Sequence, residues 1–243
     1  LRAHPDRIQA DRATISMNRP WMRDYAKSLV AICHRHGALA IGGMAAFTPG
    51  KNPASRQLQT DRVLEDKKQE YAMGHDGCWV SHPYFIGPAL SAFPTANQLQ
   101  VHPQTHRPDI LPKPSDPRTI DGLRTNIRVG IAYMKGWQDG LGCVAWDDLM
   151  EDLATLEIAR AQTWQWLHHA TQLKGGETVT PALVKKIFKE ELGLIERELP
   201  ATFRGPDLEE AILDYRKASY TAQRVFLEEH FRPFLAEASE LAT

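Results

Sequence analysis

Two adjacent carboxylates, Glu151 and Asp152, stand where apolar Leu149 and Met150 give way to a helical pattern through Leu153, Ala154 and Leu156. A carboxylate near a helix start is favoured as the anion by unpaired N–H groups and the macrodipole. Apolar neighbours can keep water away from it. Together these conditions suit a base that takes a proton from carbon. The structural alternative is strong, because acids favour the first helical turn whatever their chemistry. Glu151, three residues after Asp148, fits as the partner in a capping box. Asp152 lies one residue further in and that cap does not need it, so it is the better catalytic candidate.

Other residues with chemical potential carry weaker signals. Gly42-Gly43 interrupts the apolar run 38–45 and leaves two readings open: close approach by backbone or ligand, or tight packing. It is not a dinucleotide fingerprint, since G-x-G-x-x-G is absent. Trp79 and His82-Pro83 lie at the end of a predicted strand, where sites of α/β folds gather; a lone Trp or His more often serves packing. His34/His36 and His168/His169 lack a third ligand at metal spacing, which argues against zinc. Trp164, Trp166 and Leu167 read as a core stripe. Lys67-Lys68 and Lys185-Lys186 read as solvated helix faces. No serine or cysteine nucleophile stands beside a base.

The elements that must position these residues change character along the chain. Residues 13–17 read as a strand, 20–36 as a helix stopped by Gly37, and 38–45 as a buried strand. A Gly/Pro/Asn loop at 48–55 precedes a charged helix at about 59–73, and 78–83 reads as a third strand. Strands alternating with helices imply βαβ units, and three strands are too few to close a barrel. Six prolines punctuate 93–117, which predicts an extended junction. The remainder reads as helical: 120–139 with Thr119 as N-cap and Gly140 as stop, about 148–173, a helix opened by Thr180-Pro181, and about 207–230. The expected organisation is α/β over residues 1–93, a Pro-rich linker over 94–118 and a helical domain over 119–243.

The bulk numbers set limits. A chain of 243 residues can bury a sizeable core. Formal net charge is −1, so there is no electrostatic case for nucleic acid or an anionic membrane. No apolar run approaches the ~20 residues needed to span a bilayer. Cys33, Cys78 and Cys143 are far apart with no CxxC pair, which fits a reducing cytoplasm. The chain opens with Leu, so it is expected to be a piece of a longer protein.

At Leu149-Met-Glu-Asp-Leu-Ala-Thr-Leu-Glu-Ile158 the sequence resembles the Met-Glu-Asp-x-Ala-Thr-x-Glu-Ile segment of the malate synthase family. Arg19-Pro-Trp-Met-Arg-Asp-Tyr25, Ala40-Ile-Gly-Gly-Met-Ala-Ala-Phe47, Asp76-Gly-Cys-Trp-Val-Ser-His-Pro83, Gly122-Leu-Arg-Thr-Asn-Ile127 and Gln162-Thr-Trp-Gln-Trp166 resemble that family in the same order. The resemblance implies the C-terminal part of a TIM (β/α)8 barrel followed by an all-α domain that brings the catalytic aspartate to the barrel mouth. It implies joining of acetyl-CoA to glyoxylate with Mg²⁺, and hydrolysis to malate and CoA, as in the glyoxylate cycle. It carries the base role onto Asp152 and places Pro83 beside acetyl-CoA. The family's Gly-x-x-Trp-Asp-Tyr stretch is absent, and its metal ligands and enolate-stabilising Arg lie in earlier strands. The Mg²⁺ ligands are therefore expected in a missing N-terminal barrel half, and these 243 residues alone are expected to be inactive. A related acyl-CoA lyase, such as a citramalyl-CoA lyase-like enzyme, and a non-catalytic interaction module are the alternatives.

Overall fold

A computed structural model describes residues 4–17, 19–103 and 108–235. Part of the expected linker (104–107) and the end of the expected helical domain (236–243) lie outside the described residues. The chain divides into two compact units. One holds residues 15–112 with 147–150; the other holds 1–14, 113–146 and 151–243.

In the first unit, helix α1 (Pro20–Arg35) opens on a proline, whose missing N–H is an orphan at that position anyway. It ends before Gly37, which adopts φ +68°. Strand β1 (Ile41–Gly42) runs parallel to β2 (Gly77–Cys78). Between them lies helix α2 (Pro53–Met73), and helix α3 (Ile86–Ala92) follows. Helix α2 starts six residues before the position expected, because Asn52 and Ser55 close a capping box there.

The strands are shorter than the sequence predicts. Residues 13–17 form no strand: the Asp11 carbonyl accepts from both the Thr14 amide (2.9 Å) and its hydroxyl (2.8 Å), closing a 3-10 turn over Arg12–Thr14. The expected strand at 78–83 ends at Cys78, and a further 3-10 turn opens on Pro83 (Pro83–Phe85).

Two polar side chains, His34 and Asp76, tie this unit together. His34 of α1 places Nε2 2.9 Å from Asp76 and Nδ1 2.5 Å from the Val101 carbonyl. Burial opposes its charge, but the Val101 carbonyl and the Asp76 carboxylate outweigh that and raise its pKa. Asp76 also accepts from the amides of Ala40 (2.7 Å) and Gln98 (2.6 Å). The Ala40 bond links it to the backbone just before β1.

In the second unit, helix α4 (Ile120–Gln138) is capped by Thr119, whose hydroxyl accepts from the Gly122 amide at 3.0 Å. The next segment departs from expectation. Residues 143–152 form a hairpin of β3 (Cys143–Trp146) and β4 (Leu149–Asp152), of which 147–150 are grouped with the first unit, and helix α5 spans Leu153–His168. Asp147 (φ 48°) and Asp148 (φ 61°) are both left-handed, as a two-residue type I′ turn requires. Helices α6 (Pro181–Glu198, capped by Thr180) and α7 (Gly205–Phe226) complete the unit. Its core joins Leu123, Ile127, Leu156, Trp166, Phe188 and Phe226. Trp166 and Leu167 thus take the packing role that the sequence predicts.

Candidate active site

The hairpin decides which acid does what at 151–152. Asp152, not Asp148, is the N-cap of α5. Its Oδ1 accepts from the Thr155 amide and the Thr155 hydroxyl, both at 3.0 Å, while its own amide donates to Thr155 Oγ1 at 2.7 Å. This corrects the expectation that Glu151 completes the cap and that Asp152 is free of it. One oxygen is left over: among the described residues Asp152 Oδ2 has no hydrogen-bond partner. The residue is half-buried. An oxygen so placed can accept a proton while its twin holds the side chain in one rotamer.

Glu151 points the other way. It is 1% exposed, and Arg12 grips it with two hydrogen bonds, Nη2 to Oε1 at 2.6 Å and Nη1 to Oε2 at 3.1 Å. A carboxylate so far from water needs such a partner. Tyr133 lies fully buried, and burial, then the negative charges of Asp152 and Cys143, push its phenol pKa up. Among the described residues its hydroxyl reaches only the Gly142 carbonyl, at 3.4 Å. Neither Arg12 nor Thr155 was marked by the sequence. Thr155 was findable, as the third residue after an N-cap acid; Arg12 was not.

In the other unit, Pro83 is exposed at the start of its 3-10 turn. The preceding His82 accepts the Tyr84 amide on Nδ1 at 3.0 Å, and buried Phe85 anchors the turn. Trp79 is 70% exposed, so it is not a packing residue within its own unit.

Gly42, in β1, and Gly43, just after it, resolve differently. A Cβ on Gly42 would stand 2.2 Å from Glu70 Oε2, whereas one on Gly43 would meet nothing within 4 Å. Gly42 therefore makes room for a side chain of the same unit. Lys67, expected in solvent, is fully buried. Its Nζ donates to the Gly43 carbonyl (2.6 Å) and Glu70 (2.9 Å) and pairs with Asp66 (2.8 Å). Burial raises the Glu70 pKa to about 7, against the pull of Lys67. Lys67 is thus held by Glu70 Oε1, Asp66 and the backbone just after β1, while Glu70 Oε2 is buried without a hydrogen-bond partner among the described residues.

Among the described residues, no group of three or more His, Cys, Asp or Glu side chains could hold a metal ion. The Mg²⁺ implied by the resemblance finds no ligand set in them. No helix among them is long and apolar enough to cross a membrane.

Comparison with known proteins places this geometry. Residues 1–111 match the family description "Malate synthase, TIM barrel domain" and residues 117–240 match "Malate synthase, C-terminal". Malate synthase A of Escherichia coli (strain K12) is 40% identical over 208 residues, covering 82% of this chain and 39% of that protein. Malate synthase of Myxococcus xanthus (strain DK1622) is 42% identical over 199 residues, covering 79% and 37%. The glyoxysomal malate synthase of Zea mays is 38% identical over 241 residues, covering 93% and 41%. The chain thus spans about two fifths of the length of the curated relatives it matches. With two malate synthase domain descriptions matched in order and the Met-Glu-Asp segment closing β4 and leading into α5, the chain belongs to the malate synthase family.

Proposed function

We propose that this chain supplies the catalytic base of a malate synthase, which condenses acetyl-CoA with glyoxylate and hydrolyses the product to malate and CoA. One observation carries the reading. Asp152, in the segment that resembles the family's catalytic stretch, keeps Oδ2 unpartnered among the described residues while Oδ1 is fixed by Thr155. Oδ2 takes a proton from the acetyl methyl group. A carboxylate is a weak base for such a carbon acid in water, so enclosure by bound CoA must strengthen it. The helix start works against this by favouring the anion. Pro83 borders the acetyl-CoA. The unpaired Cys33, Cys78 and Cys143 support a reducing cytoplasmic setting.

Mg²⁺ would polarise glyoxylate, and its ligands and the enolate-stabilising Arg are assigned to barrel strands outside these 243 residues. The barrel character of residues 1–93 is part of the same proposal, supported by the parallel pair β1–β2 and the intervening helix α2.

The test is thiol release from acetyl-CoA that depends on glyoxylate and Mg²⁺. It is measured on the 243 residues alone and on the same residues preceded by a malate synthase barrel segment that carries the metal ligands. Turnover is expected only from the joined protein. A folded joined protein that releases no thiol would overturn the enzymatic reading. Release by the 243 residues alone would overturn the assignment of the metal site elsewhere.

A further inference from the structure

We propose that Arg12 is a positioning residue for Asp152, acting through Glu151; the inference rests on the base role given to Asp152 above. Arg12 and Glu151 are separated by 139 residues in the chain and joined by a two-pronged ion pair. The Arg12 side chain is 14% exposed and that of Glu151 2%, so the pair is shielded from the solvent that makes surface pairs weak.

The segment that delivers Arg12 is itself held on several sides. Trp166 Nε1 donates to the Gln9 carbonyl at 3.0 Å, and Gln162 Nε2 donates to the Ala10 carbonyl. The Ala10 amide donates to Ser115 Oγ at 3.2 Å, and the Asp11 amide to the Pro117 carbonyl at 2.8 Å. Asp11 accepts the Thr119 amide (2.9 Å) and hydroxyl (2.6 Å) at the head of α4. Gly122 is required there, since a Cβ would stand 2.2 Å from Asp11 Oδ1.

These contacts form a closed ring. Helix α5 holds residues 9–10 through Trp166 and Gln162. Residue 12 then returns to Glu151, one position before the cap of that same helix. The backbone at 151–152 is pinned by the ion pair on one side and by the Thr155 box on the other. Groups fixed in this manner hold a reacting atom within the few tenths of an ångström that proton transfer demands. Arg12 also neutralises the only other carboxylate adjacent in sequence to the base. Its planar fork matters as well as its charge, because lysine cannot span both oxygens of Glu151 in the same geometry.

The test compares Arg12→Lys and Arg12→Gln with wild type on the full chain, by amide exchange, and in the turnover-competent protein, by kinetics. Arg12→Lys keeps the charge and is the variant that guards against loss of folding. It is expected to lower kcat about tenfold and leave KM for acetyl-CoA within twofold; Arg12→Gln is expected to lower kcat about a hundredfold. Exchange of the Thr155 amide should rise at least tenfold in Arg12→Lys, while amides in the middle of α5 stay protected. Unchanged kcat, or unchanged exchange at Thr155, overturns the proposal. Exchange rising equally along α4 and α5 also overturns it, because Arg12 would then serve folding alone. If wild type turns nothing over, the proposed function fails and the exchange pattern still decides the role of Arg12.

Discussion

Asp152 caps a helix and is proposed to remove a proton, and substitution can pull the two roles apart. Only Oδ1 serves the cap, accepting two hydrogen bonds of 3.0 Å from Thr155. Asn offers the same acceptor and ranks with Asp as an N-cap, so Asp152→Asn should change stability by less than about 0.5 kcal/mol. Asp152→Ala loses both bonds but keeps the reverse one, from its own amide to Thr155 Oγ1. Its cost is then about 1 kcal/mol, or a fall of roughly 2–4 °C in Tm for a chain of this size. Neither variant retains a base, and a positioned base contributes about 10²–10⁴ in rate. Both should therefore lose at least about a hundredfold in kcat for malate formation, although only one is destabilised. Thermal unfolding followed by circular dichroism, paired with glyoxylate-dependent thiol release in the turnover-competent protein, reads both quantities. An Asp152→Asn protein that keeps turnover within a few-fold would refute the base role and leave Asp152 as a cap.

Two further predictions concern the buried cluster at β1. Glu70 rises from its ordinary 4.5 to about 7 in the folded protein, so folding holds its proton more tightly than the unfolded chain does. The stability this confers is fully present below pH 4.5 and is lost as pH rises through 7, a change of about 3 kcal/mol. Urea unfolding between pH 4.5 and 8 should show wild type losing about that much more than Glu70→Gln; parallel profiles would rule the titration out. Gly42→Ala should destabilise by about 2–5 kcal/mol, because its Cβ would displace the Glu70 carboxylate from buried Lys67. Gly43→Ala should stay within about 0.5 kcal/mol, and equal urea midpoints for the two variants would contradict the assigned contact.

What the sequence made legible was local, and what it concealed was set by partners far along the chain. Thr119 and Thr180 announce helix starts because a hydroxyl reaching an amide three residues on is a contact within one turn. Gly37 announces a stop for a similar reason, being the residue at ease with φ +68°. Asp147-Asp148 misled because aspartate suits both an N-cap and the left-handed residues of a type I′ turn. Lys67 misled because nothing in Lys67-Lys68 distinguishes the lysine that turns inward to Glu70 and the Gly43 carbonyl. The choice between the two acids was concealed most completely. Either Glu151 or Asp152 satisfies the preference for a carboxylate at a helix start, and capping-box spacing separated them on the wrong cap, pairing Glu151 with Asp148 where Asp152 pairs with Thr155. Arg12 decides, by drawing Glu151 out of water and leaving Asp152 to cap α5 with one oxygen and present the other. A catalytic assignment at such a pair is therefore a statement about a third residue, and the ion pair is where an error in it would first appear.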